Sequence, residues 1–283
     1  MNISKNEVIK LIQSEDKKDL HLHTVYSDGV LTPEQVVDRW SLEGYSIIAV
    51  TDHDGIGGSI VAVEYARNKD ITVIPAIEFD SVNELGRDLH ILGYGIDFEN
   101  EELISKLAEI LEWREERNRE ILSILHNKGI GITENEINAV NDGRYIGKPT
   151  FARVLVNRGL YPNMRTAFEA LFDNDPDIHR IVKRTLDSKT VIDLIHKCGG
   201  IAVLAHPMEQ MRTGETFEEY EPRLKQLLDT FVEYGVEGIE CYHPSASAEN
   251  SEYIREYAEQ RNLLITRGSD FHYDGLSRRY TID

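Results

Sequence analysis

The feature of this 283-residue sequence that most constrains its fold is a repeated alternation of short apolar runs with helical patterns. Apolar runs rich in β-branched residues predict strands at 20–24, 46–51, 72–78, 89–94, 200–206, 238–242 and 263–269. Helical patterns between or after them predict helices at 32–43, 59–69, 187–198, 221–234 and 248–261. Because alternating strands and helices are typical of a parallel sheet, the scaffold is predicted to be of the α/β class.

The alternation stops between about Asp97 and Arg184. Residues 101–128 carry leucine and isoleucine at helical spacings, and 148–159 and 164–172 predict further helices with no clear strand between them. We therefore expect a mostly helical insertion, a lid or side domain over 98–184, between two scaffold parts at 1–97 and 185–283. Since no low-complexity linker marks its edges, the insertion is expected to pack firmly against the scaffold.

The strongest local indication of chemistry is the pair His21 and His23, which follows an apolar strand pattern. Residues two apart on a strand point to the same side, so the two imidazoles are expected to project together. Imidazole suits Zn, Fe, Mn and similar ions. In parallel α/β sheets, ligands gather at the carboxyl ends of the strands, where this pair is placed. The pair therefore indicates half of a metal site.

Other predicted strands end in the same way, in a histidine or an acidic residue. The exits carry His53, Glu78, His206, His243, Asp270 and His272, and His90 stands where a strand begins. A repeated placement of this kind favours one shared site over chance. The remaining histidines, His126, His179 and His196, lie elsewhere and are expected not to bind metal. Asp19 and Asp52 are expected either to orient ligand imidazoles or to form turns and caps.

Five segments together resemble the PHP (polymerase and histidinol phosphatase) family of phosphoesterases, over residues 19 to about 273. They are Asp-Leu-His-Leu-His-Thr from Asp19, Ser27-Asp28-Gly29, Thr51-Asp52-His53-Asp54, Ala205-His206-Pro207 and Gly268-Ser269-Asp270-Phe271-His272. The resemblance implies a distorted (β/α)7 barrel with a helical insertion, and two to three divalent metal ions (Mn, Fe or Zn) at its carboxyl-end face. It assigns one metal to His21, His23, Glu78 and Asp270, a second to Glu78, His90 and His206, and a third to Asp28, His53 and His272.

Within the insertion, Gly147-Lys148-Pro149 followed by Phe151-Ala152-Arg153 looks like the subgroup of this family that acts on small nucleotides. The Arg-Pro-His usual in that subgroup is Lys148-Pro149-Thr150 here. The resemblance implies a phosphoric monoester hydrolase for a 3′,5′-bisphosphonucleoside-like substrate, using a metal-bridging hydroxide. His243 is expected to contact phosphate or deliver a proton, or else to form a structural turn. Arg117 and Lys148 are expected to meet a second phosphate, or else to be solvated.

Three other functions fit the same residues. They are a histidinol-phosphate phosphatase, an amidohydrolase that acts on a carbonyl centre, and a metal-stabilised binding domain without turnover.

The net charge of −19, with His counted as neutral, indicates that duplex nucleic acid is not a partner. A small anionic substrate still fits, because bound metal ions would invert the potential near the carboxylates. The apolar runs are too short to span a bilayer, so no membrane association is expected. Cys198 and Cys241 form no disulfide framework, which favours a cytoplasmic location. The sequence does not indicate an oligomeric state.

Overall fold

The computed structural model describes residues 3–84, 86–141 and 146–272. Its strands are β1 (Lys18–Leu22), β2 (Ile47–Val50), β3 (Thr72–Val82), β4 (Asp88–Tyr94), β5 (Leu186–Asp187), β6 (Ile201–Leu204), β7 (Gly238–Tyr242) and β8 (Leu264–Arg267). Its helices are α1 (Lys5–Gln13), α2 (Pro33–Leu42), α3 (Gly57–Ala66), α4 (Glu101–Asn127), α5 (Glu134–Asn141), α6 (Lys148–Asn157), α7 (Met164–Phe168), α8 (Pro176–His179), α9 (Ser188–Lys197), α10 (Phe217–Tyr234) and α11 (Ala248–Gln260). A π-helical turn (Glu169–Asp173) continues α7, and a 3₁₀ turn (Pro207–Gln210) follows β6.

The strands form one mixed sheet in the order β1-β2-β3-β4-β6-β7-β8, and the short β5 pairs with β3. The residues after β8 return to β1, where Leu22 forms a parallel bridge with Phe271 and the His23 amide donates to the Phe271 carbonyl at 3.0 Å. These contacts bring the two ends of the sheet together in a nearly closed barrel. The α/β barrel expected from the sequence is therefore confirmed.

The parallel arrangement that the alternation indicates does not extend to β4, which runs antiparallel to both β3 and β6. Only 83–87 separates β3 from β4, and a parallel connection needs a crossover of a dozen or more residues. The chain therefore makes a hairpin here. As a consequence, the beginning of β4 lies at the same end of the barrel as the carboxyl ends of its neighbours.

Buried apolar side chains fall on both sides of the sheet. One cluster joins residues of β1, β2, β3, β4 and β6, such as Leu20, Ile74 and Val203, to Val8 and Ile12 of α1. Two further clusters join the other face of the sheet to the surrounding helices, one to α2 and α3 and one to α9, α10 and α11. Helix α1, which the sequence patterns do not predict, thus packs its buried side chains against those of the barrel strands and forms one core with them.

The described residues between β4 and β5 are mostly helical, and the 27-residue helix α4 connects them with the barrel. Leu103 and Ile110, in the first half of α4, belong to the barrel core. Ile121 and Leu125, in the second half, pack with α5, α6 and the π-helical turn in a separate cluster. The division of the chain into domains at 97/98 and 184/185 stays a prediction.

Helix ends follow local capping chemistry. Helix α10 begins at Phe217, earlier than the expected residue 221, because Thr216 and Glu219 form a capping box. Helix α2 begins at Pro33 after the cap Thr32. Among the helices that the structure describes, none has the length and apolarity needed to cross a bilayer.

Candidate metal centre

The strand exits deliver a dense group of histidines and acids to one end of the barrel. The rings of His21 and His23 lie 5.2 Å apart, and that of His23 lies 4.1 Å from His272 and 4.7 Å from His53. His90 joins this group from the beginning of β4, because that strand is reversed and its register places His90 opposite Asp80 of β3. All of the positions proposed from the sequence as metal ligands are therefore close together in space.

The backbone is strained where some of these side chains enter the site. Asp54, His206 and Asp270 have φ values of 48°, 24° and 49°, in the region that L-residues seldom occupy. Such conformations cost roughly 1–3 kcal/mol each and cluster at functional sites. Each of these residues directly follows a strand or lies within four residues of its end, so the strain accompanies the turning of a side chain into the site.

Glu78 lies at the centre of the group and is completely buried. Its Oε1 lies 2.8 Å from Nδ1 of His90 and 3.1 Å from Nε2 of His206. Its Oε2 lies 3.2 Å from Nε2 of His23 and 3.2 Å from Nδ1 of His53. Because its two oxygens face different histidines, Glu78 has the arrangement of a bridging carboxylate.

Potential donor atoms within 4.8 Å of one another form several overlapping groups. Three of them contain the sets implied by the family resemblance: His21, His23, Glu78 and Asp270; Glu78, His90 and His206; and His23, Asp28, His53 and His272. The last set includes His23 in addition to the expected three residues. Two more groups were not expected: His53, Asp80 and His90; and Glu209, His243 and Asp270.

Asp270 and Asp28 face the histidines at close range. Oδ1 of Asp270 lies 3.3 Å from Nε2 of His21 and 3.1 Å from Nε2 of His23. Oδ1 of Asp28 lies 3.0 Å from Nε2 of His272. Imidazole nitrogens and carboxylate oxygens, concentrated in this way and buried, form a donor set that fits several Mn, Fe or Zn ions.

Glu240 of β7 orients His21, a role that the sequence analysis missed. Its Oε1 lies 3.0 Å from Nδ1 of His21, and its Oε2 accepts the His206 amide at 2.9 Å. Close approach of the chain at Gly268 is required here, since a Cβ would lie 2.1 Å from Cβ of His21. A carboxylate inside the buried run Ile239-Glu240-Cys241 was the sequence signal that could have revealed it.

The two acids expected to orient imidazoles behave differently. Asp52 reaches His23 through Ser27, whose Oγ donates to Asp52 at 2.6 Å and lies 3.2 Å from Nδ1 of His23. Asp19 instead holds the loop after β8, since it accepts from the amide of Ser269 at 2.9 Å and from Nε1 of Trp40 at 2.8 Å. Asp19 therefore fixes the backbone next to Asp270, which corresponds to the second of its two expected roles.

The acids make the site attractive to cations. Burial by itself lowers the pKa of His21, but the charges of Glu240 and Glu78 raise it well above its ordinary value. Burial likewise lowers the pKa of His90, whereas Glu78 and Asp80 raise it to about 10. A field that binds protons this firmly also favours divalent cations, which compete with protons for the same ring nitrogens.

A cavity of about 370 Å³ opens beside the site. Asp28, His53, His90 and His272 line it. The chain between β4 and β5 supplies cationic lining residues, which are Arg114, Arg117, Lys148, Arg153, Lys183 and Arg184. The structure thus places Arg117 and Lys148 at the cavity, while their role stays a prediction. The described residues that line the cavity do not include His243.

His243 is buried beside Asp270 instead. Its Nε2 lies 3.4 Å from Oδ2 of Asp270, and its Nδ1 lies 2.7 Å from Oγ of Ser245. The histidines expected not to bind metal have other contacts: His196 pairs with Glu237 at 2.9 Å, and Nδ1 of His179 lies 2.9 Å from the Phe172 carbonyl oxygen.

The fold and the site together define the class of this protein. It is an α/β barrel that is nearly closed and carries overlapping, buried histidine–carboxylate groups, suited to metal ions, at its strand exits. The model of the PHP domain family matches residues 19–261. The chain therefore belongs to the PHP domain family.

Individual relatives agree with this membership. The 5′-3′ exoribonuclease of Haemophilus influenzae is 31% identical over 257 residues, which cover 91% of this chain and 90% of that protein. The 3′,5′-nucleoside bisphosphate phosphatase of Chromobacterium violaceum is 32% identical over 263 residues, which cover 92% and 89%. A solved structure of a proposed metal-dependent phosphoesterase from Bifidobacterium adolescentis matches with a TM-score of 0.78 and 28% identity, over 93% of this chain and 90% of that chain.

Proposed function

We propose that this chain is a metal-dependent phosphoesterase that hydrolyses a terminal phosphate monoester of a small nucleotide. One observation carries the proposal: a single cavity is lined both by members of the histidine–carboxylate groups and by cationic side chains of the insertion. A nucleotide with two phosphates has one phosphoryl group that reacts, which Lewis acids activate, and a second phosphate, which cationic side chains bind. The cavity provides for both within the size of a small-molecule site.

The ligand sets would be those implied by the family. His21, His23, Glu78 and Asp270 would hold one ion; Glu78, His90 and His206 a second; and Asp28, His53 and His272 a third. Bound divalent ions would supply Lewis-acid activation of water and neutralise charge on the phosphate oxygens. Glu78 would keep neighbouring ions at a fixed separation, and Glu240 would hold His21 in the tautomer that presents Nε2 to the site.

The cationic side chains of the insertion favour a substrate with a second phosphate. Burial lowers the pKa of Lys148, and the nearby charges of Arg117 and Lys183 lower it further. Cations that crowd together in a half-buried cavity repel one another, and a bound anion relieves that repulsion. Arg117 and Lys148 therefore fit a second phosphate, which favours a 3′,5′-bisphosphonucleoside, the substrate class in the name of the Chromobacterium violaceum relative.

His243 is our candidate for delivering a proton to the leaving oxygen. It contacts Asp270, and its group includes Glu209, whose carboxylate lines the cavity. The contact with Asp270 also gives His243 a role in fixing that carboxylate.

Trimming of short RNA is a second candidate. A neighbouring cavity of about 760 Å³ shares Asp88, Phe168 and Glu209 with the first, so a longer strand would have room beyond one nucleotide. The Haemophilus influenzae relative is named a 5′-3′ exoribonuclease.

The test measures release of inorganic phosphate, and of mononucleotides from RNA, by the metal-loaded chain with four substrates: adenosine 3′,5′-bisphosphate, adenosine 5′-monophosphate, a short 5′-phosphorylated RNA and histidinol phosphate. We expect kcat/KM for the bisphosphate to exceed that for the monophosphate by at least about tenfold, since a charge-assisted contact is worth roughly 1.5–3 kcal/mol. Preference for RNA would select the second candidate. Preference for histidinol phosphate, or hydrolysis of amides without phosphate release, would refute the nucleotide assignment.

A further inference from the structure

Two ion pairs join the helical part of the chain to the acids beside the metal centre. Nζ of Lys183, between α8 and β5, lies 2.7 Å from Oδ2 of Asp80. An Arg114 nitrogen on α4 lies 2.8 Å from Oδ2 of Asp54. The two acids are connected, because the Asp80 amide donates to Oδ1 of Asp54 at 3.0 Å. These pairs bring two cations to the edge of the site.

Asp80 has a different neighbour on each of its oxygens. Oδ1 lies 3.3 Å from Nδ1 of His53 and 3.0 Å from Nε2 of His90, which are two of the proposed metal ligands. Oδ2 holds the Lys183 ammonium. The Asp80 carboxylate therefore separates the Lys183 ammonium from the proposed metal ligands. Neither Asp80 nor Lys183 was singled out from the sequence.

Lys183 is also accessible from the cavity. Its side chain lines the cavity and is 28% exposed, whereas that of Arg114 is 12% exposed. An ammonium has three N–H donors. Asp80 accepts from one of them, which leaves the ammonium able to bind a second anion on the cavity side.

Acids close to the metal centre favour a cation beside them when the ligand is an anion. Among the described residues, five acids line the cavity: Asp28, Asp54, Asp80, Asp88 and Glu209. Each would repel a phosphate group that approaches His53 and His90. A cation held beside Asp80 compensates an acid that lies 3.0 Å from the His90 ring and 3.3 Å from the His53 ring, and offers a hydrogen-bond donor at the same place.

We propose that Lys183 binds the phosphoryl group that is hydrolysed, and that Asp80 is the positioning residue that holds its ammonium at the metal centre. This inference rests on the proposed function and adds to it a substrate contact separate from Arg117 and Lys148, which are assigned to the second phosphate. Lys183 thereby connects the insertion to the reacting end of the substrate.

The experiment measures binding of inorganic phosphate to the metal-loaded full chain by calorimetry, together with kcat/KM and metal content. Lys183→Met removes the charge with little change in length. We expect phosphate binding to weaken at least about tenfold and kcat/KM to fall by about 10²-fold, with metal content unchanged. Lys183→Arg keeps the charge and should retain more of both than Lys183→Met.

The matched control is Lys128→Met. Lys128 forms a similar pair, 2.6 Å from Oδ2 of Asp175, with 34% of its side chain exposed, but neither residue lines the cavity. This variant should bind phosphate within about twofold of the original chain, a change under ~0.5 kcal/mol.

The double variant Asp80→Asn/Lys183→Met separates a substrate contact from simple charge compensation. If Lys183 binds phosphate, the double variant stays as weak as Lys183→Met. Recovery of phosphate affinity in the double variant, unchanged affinity in Lys183→Met, or loss of metal from either would overturn the inference. If no ester is hydrolysed but phosphate binding still depends on Lys183, the proposed function fails while the binding site stands.

Discussion

Asp270→Asn is the substitution that most directly tests the metal centre. Asparagine has the size of aspartate and is one of the few residues that tolerate the φ of 49° found here, so the backbone should keep its path. The change removes one negative charge at a position that is 1% exposed. It also replaces one acceptor oxygen with an amide that donates hydrogen bonds.

The structure sets the expected size of the effect. Oδ1 of Asp270 lies within 3.3 Å of both His21 and His23, and Oδ2 lies 3.4 Å from His243. The amide therefore disturbs a proposed metal ligand set or the proposed proton donor, whichever way it is turned. Loss of one preorganised electrostatic contact lowers turnover by about 10²- to 10³-fold. We therefore expect a loss of at least ~10²-fold, or about 2.7 kcal/mol in the activation free energy.

The assay is phosphate release with metal content measured in parallel. Asp193→Asn is the matched control, because Asp193 is an exposed acid on α9 that pairs with Lys189 at 2.8 Å. Its turnover should stay within about threefold of the original, a change below ~1 kcal/mol. If Asp270→Asn kept near-native turnover and a full metal complement, the proposed centre would be wrong at Asp270.

The remaining predictions concern metal binding. Metal analysis after reconstitution with Mn, Zn or Fe should find roughly two to three ions per chain, because the donor groups overlap at Glu78; a chain that binds none would refute the assignment. Removal of the metal by a chelator should lower the Tm by at least about 5 °C, since buried acids then repel one another, and metal addition should restore it. Glu240→Gln should weaken metal affinity by about 10- to 100-fold through the loss of its charge beside Nδ1 of His21, whereas His196→Ala should leave metal affinity unchanged.

The strand pattern by itself determined the α/β class and placed most of the proposed ligands at one end of the barrel. This was possible because parallel strands have their carboxyl ends at one edge, so His53, His206 and Asp270 could be grouped without knowing any distance. The same argument does not explain His90, which lies at the beginning of its strand. Only the hairpin between β3 and β4 brings that ring to the others.

The tertiary structure decided the contacts that connect distant segments. Glu240 meets His21 across 219 positions of the chain, and Lys183 meets Asp80 across the helical insertion. A local pattern cannot report such pairs, because strand periodicity records which face a residue occupies but not which element packs against it. The sequence therefore determined most of the proposed metal ligands at the barrel mouth, whereas the closure of the sheet and the packing of the chain between β4 and β5 decided which groups touch.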